Sequence, residues 1–185
     1  MEMIFPGKKN LQLPPVIGGV SRVTSLKILR IFLDANLTFA DNAQQCITSC
    51  NSTLYALRTM KQHGLDVRSM QKVFKVTVVP KLLYASFAWA GFISASTWQK
   101  YEAFLRRAIR LGYYGHEVLT FSTLLDCADS RLFNKIMAKI QSCLHPMLPP
   151  PKVTPYSLRP VHHGRILPIK DSKNFISRLL HTDIY

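Results

Sequence analysis

Lysine and arginine are the side chains of this chain best supplied for chemistry, and the chemistry they offer is electrostatic. The 185 residues hold 24 Lys and Arg against 10 Asp and Glu, a formal charge of +14. The acids are also unevenly placed. Between Asp41 and Glu102 the sole acid is Asp66, while Arg58, Lys61, Arg68, Lys72, Lys75, Lys81 and Lys100 fall in the same interval and Arg106, Arg107 and Arg110 follow it. An ordinary solvated helical surface mixes both signs, so an acid-poor interval of this kind attracts a polyanion, either nucleic acid or anionic lipid.

Other chemistries find little support. Thr38-Phe39-Ala40-Asp41 has the aromatic-Ala-Asp start of a turn that holds divalent cations against phosphates, but such a turn needs two adjacent carboxylates and position 42 is Asn. Ala43, Ile47, Cys50, Leu54, Leu57 and Met60 follow at three- to four-residue spacing, which predicts a helix with Thr38 as its cap and Asp41 three residues on. The four cysteines, at 46, 50, 127 and 143, lack zinc-site spacing; Cys46 and Cys50 read as reduced core residues on one helical stripe. His145, His162, His163 and His181 have no cysteine partners at ligand spacing. The chain contains no GxxxxGK[ST], HExxH or GxSxG pattern and few acids for paired-carboxylate work. No catalytic residue, metal ligand or cofactor site is expected.

The cations must be positioned by helices. The first is expected to run to Gln62 and stop at Gly64, its polar face carrying Gln44, Gln45, Thr48, Asn51, Ser52, Arg58, Thr59 and Lys61, donors suited to phosphate and sugar. A second starts near Asp66, buries Val67, Met70, Val73, Phe74 and Val76, and enters the densest apolar run of the chain, Val78 to Phe92. Pro80 removes a backbone donor and is expected to kink it. That run lacks the roughly 18 uninterrupted apolar residues of a membrane span. It reads instead as a buried helix at the centre of a helical domain. A serine-rich turn at Ser94, Ser96 and Thr97 caps a third helix, with Trp98, Tyr101, Leu105, Ala108 and Ile109 on one face and Lys100, Arg106, Arg107 and Arg110 on the other, ending at Gly112. Tyr113-Tyr114-Gly115-His116 is a loop whose aromatics stack bases or fill a lid over the core. Two short helices are expected at Phe121–Cys127 and Asp129–Leu144, and Pro146 with Pro149-Pro150-Pro151 starts a linker.

The N-terminal part is β-rich. Met3-Ile4-Phe5 is a short strand-like run ended by the turn cluster Pro6 to Asn10. Val16 to Val20 and Ser25 to Asp34 predict a small hairpin, with Gly18-Gly19 allowing a tight turn or bulge. The fold class is therefore mainly α: a short N-terminal β-hairpin, an all-helical bundle and an extended C-terminal tail.

Several motifs carry a resemblance. Pro80-Lys81-Leu82-Leu83-Tyr84-Ala85-Ser86-Phe87-Ala88-Trp89 followed by Gly91-Phe92, with Lys27-Ile28-Leu29 upstream and Leu105-Arg106-Arg107-Ala108-Ile109-Arg110-Leu111-Gly112 downstream, resembles the C-terminal part of a non-LTR (long interspersed element) retrotransposon reverse transcriptase. Ala128-Asp129-Ser130-Arg131-Leu132-Phe133 and the basic tail from Tyr156 to Tyr185 are similar to the end of this class of element. The segment Lys27, Ile28, Leu29, Arg30 resembles its primer grip, although Leu29-Arg30-Ile31 stands where the family has Leu-Gly-Val.

The resemblance implies three segments: 1–37, a β-rich remnant of palm and primer grip; 38–145, a helical thumb-like domain; and 146–185, a Pro-rich linker and basic tail. It implies that the polymerase aspartates lie outside this chain, which then grips a primer–template duplex without a catalytic centre of its own. The implied partners are RNA and DNA, as hybrid or duplex, and an upstream reverse transcriptase palm. Arg58, Lys61, Arg68, Lys72, Lys75, Lys100, Arg106, Arg107 and Arg110 are the expected nucleic-acid contacts. No secretory signal pattern or stable membrane insertion is expected, so the chain reads as intracellular, in a cytoplasmic ribonucleoprotein or the nucleus. A translated but nonfunctional transposon relic and a basic membrane-surface or scaffold protein are the alternatives.

Overall fold

The structure, a computed structural model, describes residues 1–5, 13–115, 120–152 and 163–182. The turn cluster at 6–10, His116, the motif Tyr156 to Pro160, His162 and the end at 183–185 lie outside the described residues. The chain divides into two compact units, one of residues 1–82 with 92–118 and the other of residues 83–91 with 119–185. Helices dominate both, and the mainly helical class with an N-terminal hairpin holds.

In the first unit the hairpin lies further along than Gly18-Gly19 suggested. Strands β1 (Ser25–Ile28) and β2 (Ile31–Asp34) pair antiparallel, Ser25 opposite Asp34 and Ile28 opposite Ile31. Leu29 and Arg30 form the two-residue turn with φ of 47° and 69°. Positive φ at both central residues is the type I′ pattern that right-twisted strands favour. Gly18-Gly19 instead makes a separate turn closed by Val20 N–H donating to Ile17 O (3.0 Å). The strand-like reading of Met3-Ile4-Phe5 reduces to a single bridge at Glu2: its amide donates to Ser21 O, its carbonyl accepts from Val23, and its carboxylate pairs with Arg22 at 2.8 Å.

Helix α1 (Ala40–Gln62) starts as expected, but not with the expected cap. Phe39, in a left-handed conformation, is the capping position and makes no side-chain cap bond; Asp34 does the work from the end of β2. Its Oδ1 accepts the amides of Thr38 (2.8 Å) and Phe39 (3.1 Å), and Oδ2 accepts the Thr38 hydroxyl (3.1 Å). The strand end thus holds the two residues that lead into the helix, and Thr38 Oγ1 accepts the amide of Ala40, the first helical residue, at 3.5 Å. A second tie is Asn42, buried in the first turn, whose Oδ1 accepts the Phe32 amide at 3.4 Å.

At the other end of α1, Gly64 takes φ +92° and the chain closes a Schellman turn, Leu65 N–H donating to Met60 O and Gly64 N–H to Lys61 O. Gly112, at φ +77°, ends α4 (Ala95–Arg110) the same way, with Tyr113 N–H donating to Ala108 O. The start of α4 is capped by Ser94, whose hydroxyl accepts the Thr97 amide at 3.2 Å.

Helix α2 (Val67–Leu82) begins one residue after Asp66, whose carboxylate accepts the Ser69 amide. It buries Met70, Phe74, Val78 and Leu82, one residue per helical turn, while Val67 and Val76 face water. The helix continues through Pro80 to Leu82, so Pro80 does not end it. Pro80 and Val76 are exposed, so the carbonyl deprived of a partner by the missing N–H lies on the wet side of the helix. Helices α2 and α4 both pack on α1, and Ala43, Cys50, Leu54, Leu57, Tyr101, Phe104, Leu105 and Ala108 are buried. Phe39 sits 5.8 Å from Phe92, and Phe74 4.8 Å from Tyr114. Tyr113 and Tyr114 are both buried, the lid alternative.

The central apolar run is therefore not one buried helix within one domain. It ends as helix at Leu82, where the units divide, and turns at Leu83–Ala85, Ser86 N–H donating to Leu83 O and Ala85 taking φ 48°. A single turn, α3 (Ser86–Trp89), follows in the second unit. Trp89 is buried there, its Nε1–H donating to Tyr84 O at 2.9 Å, whereas Tyr84 and Phe87 are exposed. Gly91 is required by closeness: a Cβ would collide with the backbone of Lys173.

Helix α5 (Phe121–Ala138), capped by Thr120, runs without a break through Ala128-Asp129 and stops short of Leu144. This replaces the two short helices expected there. Ile140 is left exposed and a 3₁₀ turn forms at His145–Met147. The described part of the tail is not extended. Pro151 and Arg165 form an antiparallel bridge, and α6 (Phe175–Thr182), capped by Asn174, packs on α5. Phe133, Ile136, Leu148, Phe175, Leu179 and Leu180 form this unit's own core. Segments 83–91 and 119–145, read in sequence with the helical domain, thus cluster with residues of the tail.

Candidate nucleic-acid interface

All nine expected contact residues belong to the first unit, and all nine are exposed. On α2, Arg68, Lys72 and Lys75 recur at four- and three-residue spacing, within a sector of about 60° that leaves the buried Met70-Phe74-Val78 stripe to the core. On α4, Lys100, Arg106, Arg107 and Arg110 occupy the sector opposite Tyr101, Phe104, Leu105 and Ala108. Arg58 and Lys61 sit near the C-terminal end of α1. Cations at a helix C-terminus also complement its partial negative charge. Among the described residues none of the nine is seen in an ion pair. The one acid of the interval, Asp66, is occupied as a helix cap; bonds from the Ser69 hydroxyl and amide hold its carboxyl below the usual carboxylate value.

The nine are not equivalent. The Arg107 guanidinium is hydrogen-bonded to Asn51 Oδ1 on α1 and lies 5.8 Å from the Phe104 ring, so it fastens α4 to α1. Arg58 lies seven residues beyond Asn51, two turns along the same side of α1. Lys81, outside the nine, donates from Nζ to Thr53 Oγ1 at 2.9 Å and fastens α2 to α1 in the same way.

The polar face of α1 proves less rich in donors than its composition suggests. Thr48, Ser52 and Thr59 each spend their hydroxyl proton on the carbonyl four residues back, Gln44, Thr48 and Tyr55 respectively. A hydroxyl used this way offers lone pairs outward, not protons, and cannot donate to a phosphate without giving up that bond. Gln44, Gln45, the Asn51 amide nitrogen, Arg58 and Lys61 remain as donors. Tyr55, 73% exposed on this face one turn before Arg58, is an aromatic that sequence reasoning passed over. Its polar neighbours Ser52 and Thr59 on the same face were the available signal.

The primer-grip-like segment forms the hairpin tip. Lys27 and Ile28 end β1, Leu29 and Arg30 make the turn, and all four are exposed. Lys27 Nζ stands 4.9 Å over the ring of its cross-strand partner Phe32. Arg30 adopts the left-handed conformation that glycine enters at least cost.

Of the four thiols Cys46 and Cys50 lie on α1, while Cys127 and Cys143 are exposed. The hydrogen bond with the adjacent Cys46, and then burial, push the Cys50 thiol strongly up, and burial pushes the Tyr101 hydroxyl up likewise, which keeps both protonated. Cys46, half-buried, donates to Lys81 O at 3.3 Å. Among the described residues no group of three or more His, Cys, Asp or Glu could hold a metal, and no helix is long and apolar enough to cross a membrane. Asp41 is exposed in the first turn of α1 beside the buried Asn42, which fixes Phe39-Ala40-Asp41 as a helix start. No family profile, curated protein or solved structure matches the chain.

Proposed function

We propose that this chain is a nucleic-acid-gripping C-terminal fragment of a non-LTR retrotransposon reverse transcriptase, holding a primer–template duplex without a catalytic centre of its own. One observation carries the reading: nine exposed cations on α1 and on the two helices packed against it, α2 and α4, with Asp66, the sole acid between Asp41 and Glu102, spent on capping. Phosphates reward such an array because each neutralised charge releases condensed counterions. The partners on this reading are RNA–DNA hybrid or duplex, and the catalytic aspartates belong to an upstream palm.

Binding of a labelled RNA–DNA hybrid as a function of salt tests it. With roughly five to seven phosphates engaged, log K against log[salt] has a slope of about −4 to −6, and replacing Lys72 and Lys75 by Ala makes it shallower by about 2. A slope near zero removes the reading, and preferential flotation with anionic liposomes at the same salt transfers it to a membrane-surface protein. Arg30, held in a glycine-type conformation, favours a second reading in which the chain is a degenerate relic. In that case the purified chain melts without a cooperative transition.

A further inference from the structure

His163 is a buried histidine with both ring nitrogens in use. Nδ1 accepts the Arg165 amide N–H at 3.1 Å, and Nε2 lies 3.1 Å from the Leu180 carbonyl oxygen. A carbonyl only accepts, so Nε2 carries the proton; an amide N–H only donates, so Nδ1 carries the lone pair. The neutral Nε2–H ring is the one form that makes both bonds, and together they tie the turn at Gly164 to the last turn of α6.

Cations and further rings stand close by this ring. Arg165 stands beside it, donating from Nη1 to Pro149 O at 2.6 Å, with Nη2 3.4 Å from Nε2 of His145. A guanidinium only donates, so that His145 nitrogen is also a lone pair. His181 Nε2 lies 3.0 Å from Pro168 O, a bond that a neutral or charged ring makes equally well. Lys152 lies on the paired segment, its amide donating to Gly164 O. Among the described residues the carboxylates on the elements packed here are engaged elsewhere, Asp126 with the Ser122 hydroxyl, Asp129 with Arg178 and Asp171 with the Lys173 amide.

We propose that His163 makes a proton-sensitive clasp between the turn at Gly164 and the last turn of α6, closed while the ring is neutral and released when Nδ1 takes a proton. A proton there sets two donors, Nδ1–H and the Arg165 amide, against each other inside a buried site. Histidine is the side chain suited to such a change at mild acidity. The proposal is independent of nucleic-acid binding, which rests on the other unit.

Hydrogen exchange of the full chain at about pH 7.5 and about pH 5, corrected for the intrinsic pH dependence of exchange, tests the clasp. The Arg165 amide and the amides of α6 should lose about tenfold protection at the lower pH while α1 keeps its own. His163→Gln, which can accept at Oε1 and donate at Nε2 but never charges, should hold the clasp closed at both. Equal protection at both pH values, equal loss in α1, or a pH response that persists in His163→Gln overturns the proposal. If His163→Gln opens the clasp even at neutral pH, ring ¹³C shifts of the parent chain decide: an Nε2–H ring that charges together with α6 release supports it, and a ring that stays neutral while α6 opens overturns it.

Discussion

Asp129 on α5 and Arg178 on α6, 49 residues apart, face each other as an ion pair whose carboxylate is buried and whose guanidinium stays partly open to water. Burial raises the Asp129 carboxyl above its ordinary value, and Arg178 pulls it back. A carboxyl raised in the folded state opposes folding when charged, and that opposition fades as pH falls through its folded value. Arg178→Met leaves the charge uncompensated and should cost about 3–5 kcal/mol near neutral pH. The difference from the parent should shrink on acidification, as Asp129 takes a proton. Denaturant unfolding of both chains at two pH values measures this, and an Asp129→Leu/Arg178→Met pair should recover most of the loss.

Asp34 caps α1 from outside the helix. Although burial acts to raise its carboxyl, the bonds from Phe39 and Thr38 prevail and hold it below the usual value. The sign is opposite to that of Asp129: the stability it supplies is present above the unfolded value and is lost as pH falls through the folded one. Asp34→Ala should cost about 1 kcal/mol, read as a lower midpoint in urea, while Thr38→Val should cost less because the Thr38 amide keeps its acceptor.

Arg30 is strained where it stands. A left-handed residue other than glycine costs about 1–2 kcal/mol, and glycine's larger freedom in the unfolded chain returns roughly 0.5–1 of that. Arg30→Gly should therefore stabilise the chain by about 0.5–1 kcal/mol, the balance of those two terms. A lower melting temperature for the variant would mean that the arginine side chain makes contacts that outweigh the strain.

Trp89→Ala should remove about 3–5 kcal/mol by deleting a fully buried aromatic and leaving the Tyr84 carbonyl without its donor. Tyr84→Ala and Phe87→Ala, at neighbouring exposed positions, should cost far less. Near-UV circular dichroism with thermal melts separates the two outcomes. If Trp89→Ala melted like its parent, the indole would not be a core residue.

Gly91→Ala should destabilise the second unit, because the added methyl meets the Lys173 backbone, which cannot rotate away as a side chain could. Exchange at α6 reports it, with α1 unaffected.

Local chemistry was legible in the sequence because it acts within a few residues. The 3.6-residue recurrence from Ala43 to Met60, the glycines at 64 and 112, and Ser94 ahead of α4 fixed two helices, α1 and α4, close to their bounds, since stripes and caps depend only on neighbours. The exposure of all nine cations was equally readable, because charge without a partner stays in water. Tertiary partners decided the rest. Asp129 reads as a helix start in isolation and is a helix interior because Arg178 meets it from far along the chain. Thr38 shares the helix start with Asp34, because the turn leaving β2 brings that carboxylate to the Thr38 and Phe39 amides. The apolar run from Val78 to Phe92 promised one core; its hydrophobicity could not say that the chain turns at Leu83 and divides that burial between two units. Hydrophobic burial is non-directional, so a sequence can state which residues leave water, while only the packed chain decides against what.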